Sequence, residues 1–158
     1  MSGSGAPTPQ EPIDATGLNV VIIAGTWHDV ITDGLIAGAE RTLNAAHATH
    51  RLVRVPGSFE LALAAQAAFA GGADAVVALG VIIRGGTPHF EYVSAATTDG
   101  LTRVSLDAGK PVGFGVLTLD DEQQGLDRAG LPDSKEDKGA EAADAALRTA
   151  LLVKQLRG

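Results

Sequence analysis

The chain has 158 residues, 45% of them hydrophobic, which is enough for one domain with a sizeable core and excludes an intrinsically disordered protein. Its formal net charge of -7 argues against nucleic acid as a partner, and the absence of Cys excludes disulfides, thiolate nucleophiles and Cys-ligated metal centres. Because residues 1–12 lack a basic, apolar leader and no run of about 18 apolar residues occurs, we expect a cytoplasmic protein with no membrane partner.

Residues 1–17 form the first segment and are rich in Gly and Pro, which disfavour a regular helix or a central strand. We expect a flexible N-terminal arm there, followed by a single domain over residues 18–158. Within that domain, short β-branched segments alternate with amphipathic ones. Strands are predicted at residues 19–24, 52–55, 75–83 and 111–118, and helices at residues 30–46, 59–69, 88–106, 121–129 and 140–156.

This alternation predicts an α/β fold in which helices cover both faces of a four-stranded parallel sheet. The near-continuous apolar strand at residues 75–83 agrees with a strand that is buried on both sides. Ligands of such sheets bind at the carboxyl ends of the strands, where loops lead into helices. Functional residues are therefore expected in the loops that follow the strands.

The loop after the third strand ends in Gly85-Gly86-Thr87-Pro88-His89. Thr87 is a good N-cap and Pro88 a good first helical residue, while the two glycines let a ligand approach the backbone. This pattern predicts an anion cradle, most simply for phosphate, although an ordinary capped helix start explains it equally well. The positive end of the helix disfavours an imidazolium ring, so His89 is either a proton acceptor or merely exposed.

The loop after the second strand reads Pro56-Gly57-Ser58-Phe59-Glu60, with Ser58 as a predicted N-cap. Glu60 either complements the helix dipole or accepts hydrogen bonds from ligand hydroxyls. The loop after the first strand contains Trp27, the only Trp of the chain. Its ring either packs over the sheet edge or presents its face to a planar ligand.

Two basic residues lie near the ends of later helices. Arg128 is predicted in the last turn of a short helix, and Lys138 in the first turn of the last helix, so each has a sufficient structural reason for its place. His47 and His50 have no nearby carboxylate motif, and we predict no metal site. Since no Walker A and no GxGxxG motif follows a predicted strand, the commonest nucleotide sites are excluded.

Taken together, these segments resemble the 6,7-dimethyl-8-ribityllumazine synthase family of riboflavin biosynthesis. They occur in family order between about residues 18 and 156, and the run Gly80-Val81-Ile82-Ile83-Arg84-Gly85-Gly86-Thr87-Pro88-His89-Phe90-Glu91-Tyr92 is the most specific. The other matching segments are Trp27-His28, residues 56–60, residues 111–118, residues 127–130 and residues 137–139.

The resemblance implies a flavodoxin-like three-layer sandwich that needs no cofactor. It also implies condensation of 5-amino-6-(D-ribitylamino)uracil with 3,4-dihydroxy-2-butanone 4-phosphate, which releases phosphate and water. The implied catalytic residues are His89, Arg128 and Lys138. The implied substrate-binding residues are Trp27, Gly57, Ser58, Phe59, Glu60, Val81, Ile82, Ile83, Gly85, Gly86, Thr87, Phe114, Arg128 and Lys138.

By the same resemblance, the active site is shared between subunits of a pentamer, with Phe114, Arg128 and Lys138 supplied by the neighbour. Riboflavin synthase, the downstream enzyme, is a candidate partner. The length of the segment at residues 131–136 and the Pro-rich arm favour a free pentamer over a hollow icosahedral shell. The alternatives are an archaeal-type riboflavin synthase, a lumazine- or flavin-binding protein without catalysis, and a flavin electron carrier, which would need a hydroxyl-rich loop after the first strand.

Overall fold

Strands and helices alternate along the chain in the computed structural model, which describes residues 4–8 and 11–158. The strands are β1 (Asn19–Gly25), β2 (Thr49–Val55), β3 (Ala75–Ile83) and β4 (Val112–Leu119). The helices are α1 (Asp29–Ala45), α2 (Leu61–Ala70), α3 (His89–Ala108), α4 (Glu122–Leu126) and α5 (Lys138–Leu156), and a 3₁₀ turn at Ser58–Glu60 leads into α2.

The four strands form a parallel sheet in the order β2-β1-β3-β4. One apolar cluster joins the sheet to α1 and α5, and a second cluster joins its other face to α2 and α3. The structure therefore confirms the predicted three-layer α/β fold. From β1 the chain continues to β2 at one edge of the sheet and then passes back beyond β1 to β3 and β4. The topological switch point therefore lies between β1 and β3.

The long helices α1, α3 and α5 are amphipathic, and each buries one side in the core. The buried positions of α3, for example, are Thr97, Leu101 and Val104, which follow helical spacing. Among the described residues, no helix combines the length and the apolar character that crossing a membrane requires.

Most element boundaries are shifted from those predicted, and three of the shifts have a clear structural cause. β2 begins at Thr49 rather than at residue 52, because Thr49 pairs with Asn19 of β1 although β2 is polar at its start. The fourth helix ends at Leu126 rather than at residue 129, because the Asp127 carbonyl accepts hydrogen bonds from the N–H groups of residues 135 and 136. α5 begins two residues early, at Lys138, since the Asp137 side chain caps it.

The described part of the predicted arm contacts the domain. Ala15 is fully buried, and its N–H donates to the Ala46 carbonyl at 2.7 Å. Arg148 Nη2 donates to the Glu11 carbonyl at 3.2 Å. Residues 1–3 and 9–10 lie outside the described residues, and the flexible arm over residues 1–17 stays a prediction.

Candidate active site

A pocket of about 800 Å³ opens at the carboxyl ends of β1 and β3, at the switch point of the sheet. Three separate segments that the sequence singled out meet there, namely the Trp27 loop, the turn at residues 56–60 and the end of β3 together with His89. The lining residues are Trp27, His28, Pro56, Gly57, Ser58, Phe59, Glu60, Val81, Ile82, Ile83, His89, Tyr92, Val93 and Ala96. Parallel strands end at the same edge of the sheet, which is why distant segments converge.

The Trp27 loop holds an exposed ring on a fixed backbone. The Trp27 carbonyl accepts a hydrogen bond from Thr32 Oγ1 at 2.7 Å, and Thr32 is only 1% exposed. The side chain of Trp27 is 66% exposed and passes close to Gly57, where a Cβ would lie 3.4 Å from Trp27 Nε1 and 3.5 Å from Glu60 Oε2. A side chain at position 57 would therefore crowd the space between the ring and the carboxylate.

The turn at residues 56–60 is built differently from the prediction. Ser58 was expected to cap a helix with its hydroxyl, but the structure shows no such hydrogen bond, so that prediction is wrong. Ser58 is instead buried, and a Cβ at Gly80 of β3 would overlap Ser58 Oγ. The Ser58 carbonyl also accepts from Thr97 Oγ1 at 3.2 Å, so the turn is fixed between β3 and α3.

The loop from Gly85 to Thr87 is exposed and leads directly into α3. The helix begins at His89, with Pro88 at its N-cap position and no side-chain cap, so the predictions of Thr87 as the N-cap and Pro88 as the first helical residue are wrong. Thr87 Oγ1 accepts only a long hydrogen bond from the His89 N–H, at 3.4 Å. A Cβ at Gly85 or Gly86 would meet no atom within 4 Å, so space beside the backbone is open. This arrangement suits the approach of an anion to the N-terminus of a 20-residue helix.

Arg84 fixes the start of that loop, a role that sequence reasoning missed. Its Nε donates to Asp120 Oδ1 at 3.0 Å, and its Nη1 donates to Glu91 Oε1 at 3.0 Å. The guanidinium also lies 4.3 Å from the centre of the Phe90 ring. Hydrogen bonds to Asp120 and Glu91 raise the pKa of Arg84, so its charge is permanent.

Arg128 and Lys138 are ten positions apart in sequence but adjacent in the fold. Ala129 forms an antiparallel bridge with Asp137, and the Lys138 N–H donates to the Arg128 carbonyl at 2.9 Å. Arg128 Nη1 donates to the carbonyl of Gln124 in α4, at 2.8 Å. This short antiparallel pairing therefore places Arg128 and Lys138 next to each other.

Two carboxylates accompany these cations. Lys138 Nζ lies 2.8 Å from Glu141 Oε2 and 3.2 Å from Glu136 Oε2, and Glu136 Oε2 also lies 4.0 Å from Arg128 Nε. Burial by itself lowers the pKa of Lys138, but hydrogen bonds to Glu141 and Glu136 together outweigh that effect and raise its pKa above 10.5. Lys138 is therefore protonated at neutral pH.

The pocket collects only part of the predicted site. Phe114 lies on β4, is 47% exposed and borders a different cavity of about 330 Å³ beside α3. Arg128, Lys138 and the loop of Gly85, Gly86 and Thr87 are likewise not part of the pocket lining. One chain thus brings Trp27, residues 57–60, residues 81–83 and His89 together and leaves the other predicted residues elsewhere on its surface.

Five lining residues were not predicted as site residues, and one of them, Pro56, simply opens the turn at residues 56–60. Tyr92, Val93 and Ala96 follow His89 on α3 by three, four and seven positions, so helical periodicity starting from His89 would have found them. His28 precedes α1 with a left-handed backbone at φ 56°. His is one of the few residue types that are enriched in this conformation, which is the one signal that could have indicated it.

Comparison with known proteins gives a consistent result. A family model described as 6,7-dimethyl-8-ribityllumazine synthase matches residues 17–154. The chain is 74% identical to the 6,7-dimethyl-8-ribityllumazine synthase of Leifsonia xyli subsp. xyli over 158 residues, which is 100% of both chains. It is 70% identical to that of Clavibacter sepedonicus over 159 residues (100% of this chain, 99% of the relative) and 61% identical to that of a Nocardioides species over 157 residues (99% and 97%).

Proposed function

Because the chain belongs to the 6,7-dimethyl-8-ribityllumazine synthase family, we infer that it catalyses the condensation of this family in riboflavin biosynthesis. It is a transferase that joins 5-amino-6-(D-ribitylamino)uracil to 3,4-dihydroxy-2-butanone 4-phosphate and releases phosphate and water. The observation that carries this conclusion is identity of 74% over the whole of both chains. The relatives do not favour a riboflavin synthase or a binding protein without catalysis.

The pocket at the switch point is proposed to hold the uracil substrate. Its volume of about 800 Å³ falls in the range of small-molecule sites. The exposed ring of Trp27 offers a face for the pyrimidine, and the Glu60 carboxylate on the same wall accepts hydrogen bonds from ribityl hydroxyls. The backbone of residues 57–59 and of residues 81–83 would contact the edges of the pyrimidine ring.

The phosphate of the second substrate is proposed to bind at Gly85, Gly86 and Thr87. Support comes from the open backbone of this loop and from its position at the positive end of α3. Arg128 supplies a guanidinium that pairs with phosphate oxygens, and protonated Lys138 adds a second positive charge. His89, at the first position of α3, follows this loop directly and itself lines the pocket.

The chemistry needs little from the protein beyond positioning and proton transfer. The amine of the uracil substrate attacks the butanone carbonyl and forms an imine with loss of water, so no nucleophilic Lys is required. Elimination of phosphate, followed by attack of the ribitylamino nitrogen on the remaining carbonyl with loss of a second water, then closes the ring and completes the lumazine. We assign to His89 the proton transfers in these last steps, since it adjoins both proposed binding regions.

We propose a homopentamer in which a neighbouring subunit supplies Phe114, Arg128 and Lys138 to each pocket. Two observations support this proposal: these residues do not line the pocket of their own chain, and large apolar side chains near it are exposed. Phe59 is 65% exposed and Tyr92 is 76% exposed. A free pentamer is favoured over a shell, with the cytoplasm as its location and riboflavin synthase as a candidate partner.

Product formation from defined substrates tests the function directly. The purified protein is incubated with the uracil amine and the butanone phosphate in one reaction and with lumazine alone in another. We expect 6,7-dimethyl-8-ribityllumazine to form in the first reaction and lumazine to remain unchanged in the second. Conversion of lumazine into riboflavin in the second reaction would instead show a riboflavin synthase.

A further inference from the structure

Glu136 lies beside Arg128 and Lys138, the two cations for which a bound phosphate would have to compete with it. Its Oε2 lies 3.2 Å from Lys138 Nζ and 4.0 Å from Arg128 Nε, and its side chain is only 17% exposed. We propose that Glu136 is an internal counter-anion that limits the affinity of Arg128 and Lys138 for phosphate. This inference rests on the proposed role of those two cations in binding the substrate phosphate.

The backbone holds Glu136 in this place. Its N–H donates to the Asp127 carbonyl at 3.0 Å, and its carbonyl accepts from the Gly130 N–H at 3.0 Å. Glu141, the other partner of Lys138, lies on the first turn of α5 with a side chain that is 48% exposed. Glu136 is therefore the better shielded of the two carboxylates, and water weakens its interactions less.

The charges of this group balance before any ligand binds. Arg128 and Lys138 carry two positive charges, and Glu136 and Glu141 carry two negative ones. A phosphate that approaches the cations competes with Glu136 for the same two positive charges, and it meets repulsion from the carboxylate. Glu136 thus weakens the binding of both the phosphate ester and the released phosphate.

This competition has a use in the reaction. The phosphate ester is consumed and inorganic phosphate is released, so a site that binds phosphate too tightly would retain its product. A fixed carboxylate beside the cations lets them orient the ester while inorganic phosphate leaves readily. A purely structural ion pair would give no such effect, because removal of its charge would change stability and leave phosphate affinity as it was.

The test compares inhibition by inorganic phosphate in the wild-type enzyme and in Glu136→Gln, which keeps the shape and removes the charge. We expect the inhibition constant for phosphate to fall about tenfold, as removal of one unit charge at close range in a partly shielded site implies. The KM for the butanone phosphate falls in the same direction, and the KM for the uracil substrate does not change. Glu136→Asp, which keeps the charge, remains close to wild type.

Glu11→Gln is the charge-matched control. Glu11 is exposed and lies beside Arg148, ten residues beyond Lys138 on α5, which is about 15 Å along the helix. Its removal leaves phosphate inhibition unchanged. Should Glu136→Gln fail to fold, as thermal unfolding would reveal, Glu136→Ser removes the same carboxylate and is expected to tighten phosphate binding in the same way.

The outcomes separate this inference from the proposed function. If Arg128→Ala leaves phosphate inhibition unaltered, the phosphate clamp itself is wrong. If Arg128→Ala weakens phosphate inhibition while Glu136→Gln and Glu136→Ser leave it at the wild-type value, the clamp stands and the role of Glu136 is refuted.

Discussion

The substitution Gly80→Ala tests how tightly the pocket wall is fixed to the sheet. An ideal Cβ at Gly80 would overlap Ser58 Oγ and would lie 3.2 Å from Leu61 Cδ1. Since β3 pairs with a strand on each side, its backbone has no room to retreat. We therefore expect Ser58 to move and to shift the turn that carries Glu60.

Overpacking of this kind costs about 1–3 kcal/mol. For a chain of this size, each kcal/mol lowers the midpoint of thermal unfolding by about 2–4 °C, so a cost near 2 kcal/mol corresponds to about 4–8 °C. Thermal unfolding at one fixed protein concentration measures that loss. Steady-state kinetics should in addition show a higher KM for the uracil substrate, because the displaced turn carries Glu60.

Two further variants sharpen the result. In Gly80→Ala combined with Ser58→Ala, the overlapping Oγ is gone, and we expect most of the lost stability to return. Gly71→Ala is the control for the Gly-to-Ala change itself, since a Cβ there would make only ordinary contacts at 3.5 Å. Gly80→Ala with an unchanged midpoint and an unchanged KM would refute the claim that Ser58 is wedged against β3.

Three other predictions follow from the proposed site. His89→Ala should slow turnover about 100-fold while uracil binding persists. The pKa of Lys138 is raised from its ordinary value, so Lys138 stays protonated and causes no pH dependence between about pH 6 and 9. A wild-type turnover that does not change over this pH range would therefore contradict the role of His89. Arg128→Ala should raise the KM for the butanone phosphate about 10- to 150-fold with little change for the uracil, and equal losses for both would contradict the clamp. Light scattering should give a mass near five times 16.0 kDa; a megadalton particle would contradict the free pentamer, and an active monomer the shared site.

The layer architecture could be predicted because it depends on local patterns. Residues 75–83 are apolar throughout, and the helical segments carry their buried residues at regular spacing. β2 was predicted too short because it is the edge strand and its first three residues, Thr49, His50 and Arg51, are polar and not buried. Pairing with β1, which no local pattern reports, determines where β2 begins.

The candidate site could be predicted in its residue types but not in its arrangement. Ser58 has the sequence context of a cap, yet the small residue Gly80, which lies 22 positions away, lets the Ser58 side chain turn inward. The adjacency of Arg128 and Lys138 depends on one bridge between residues 129 and 137. Both features arise from contacts between distant segments, which sequence periodicity does not encode.

The two-sided attachment of Arg84 has an entropic consequence for the proposed phosphate loop. Glycine has more backbone freedom than any other residue type. An unrestrained loop with Gly85 and Gly86 would therefore lose much conformational entropy when it closed around an anion. Arg84 joins the end of β3 to Asp120, just beyond β4, and to Glu91 in α3, so both ends of the loop are held before a ligand arrives. If phosphate binds here as proposed, part of the ordering of the two glycines has already taken place during folding, and the ligand meets a preorganised loop.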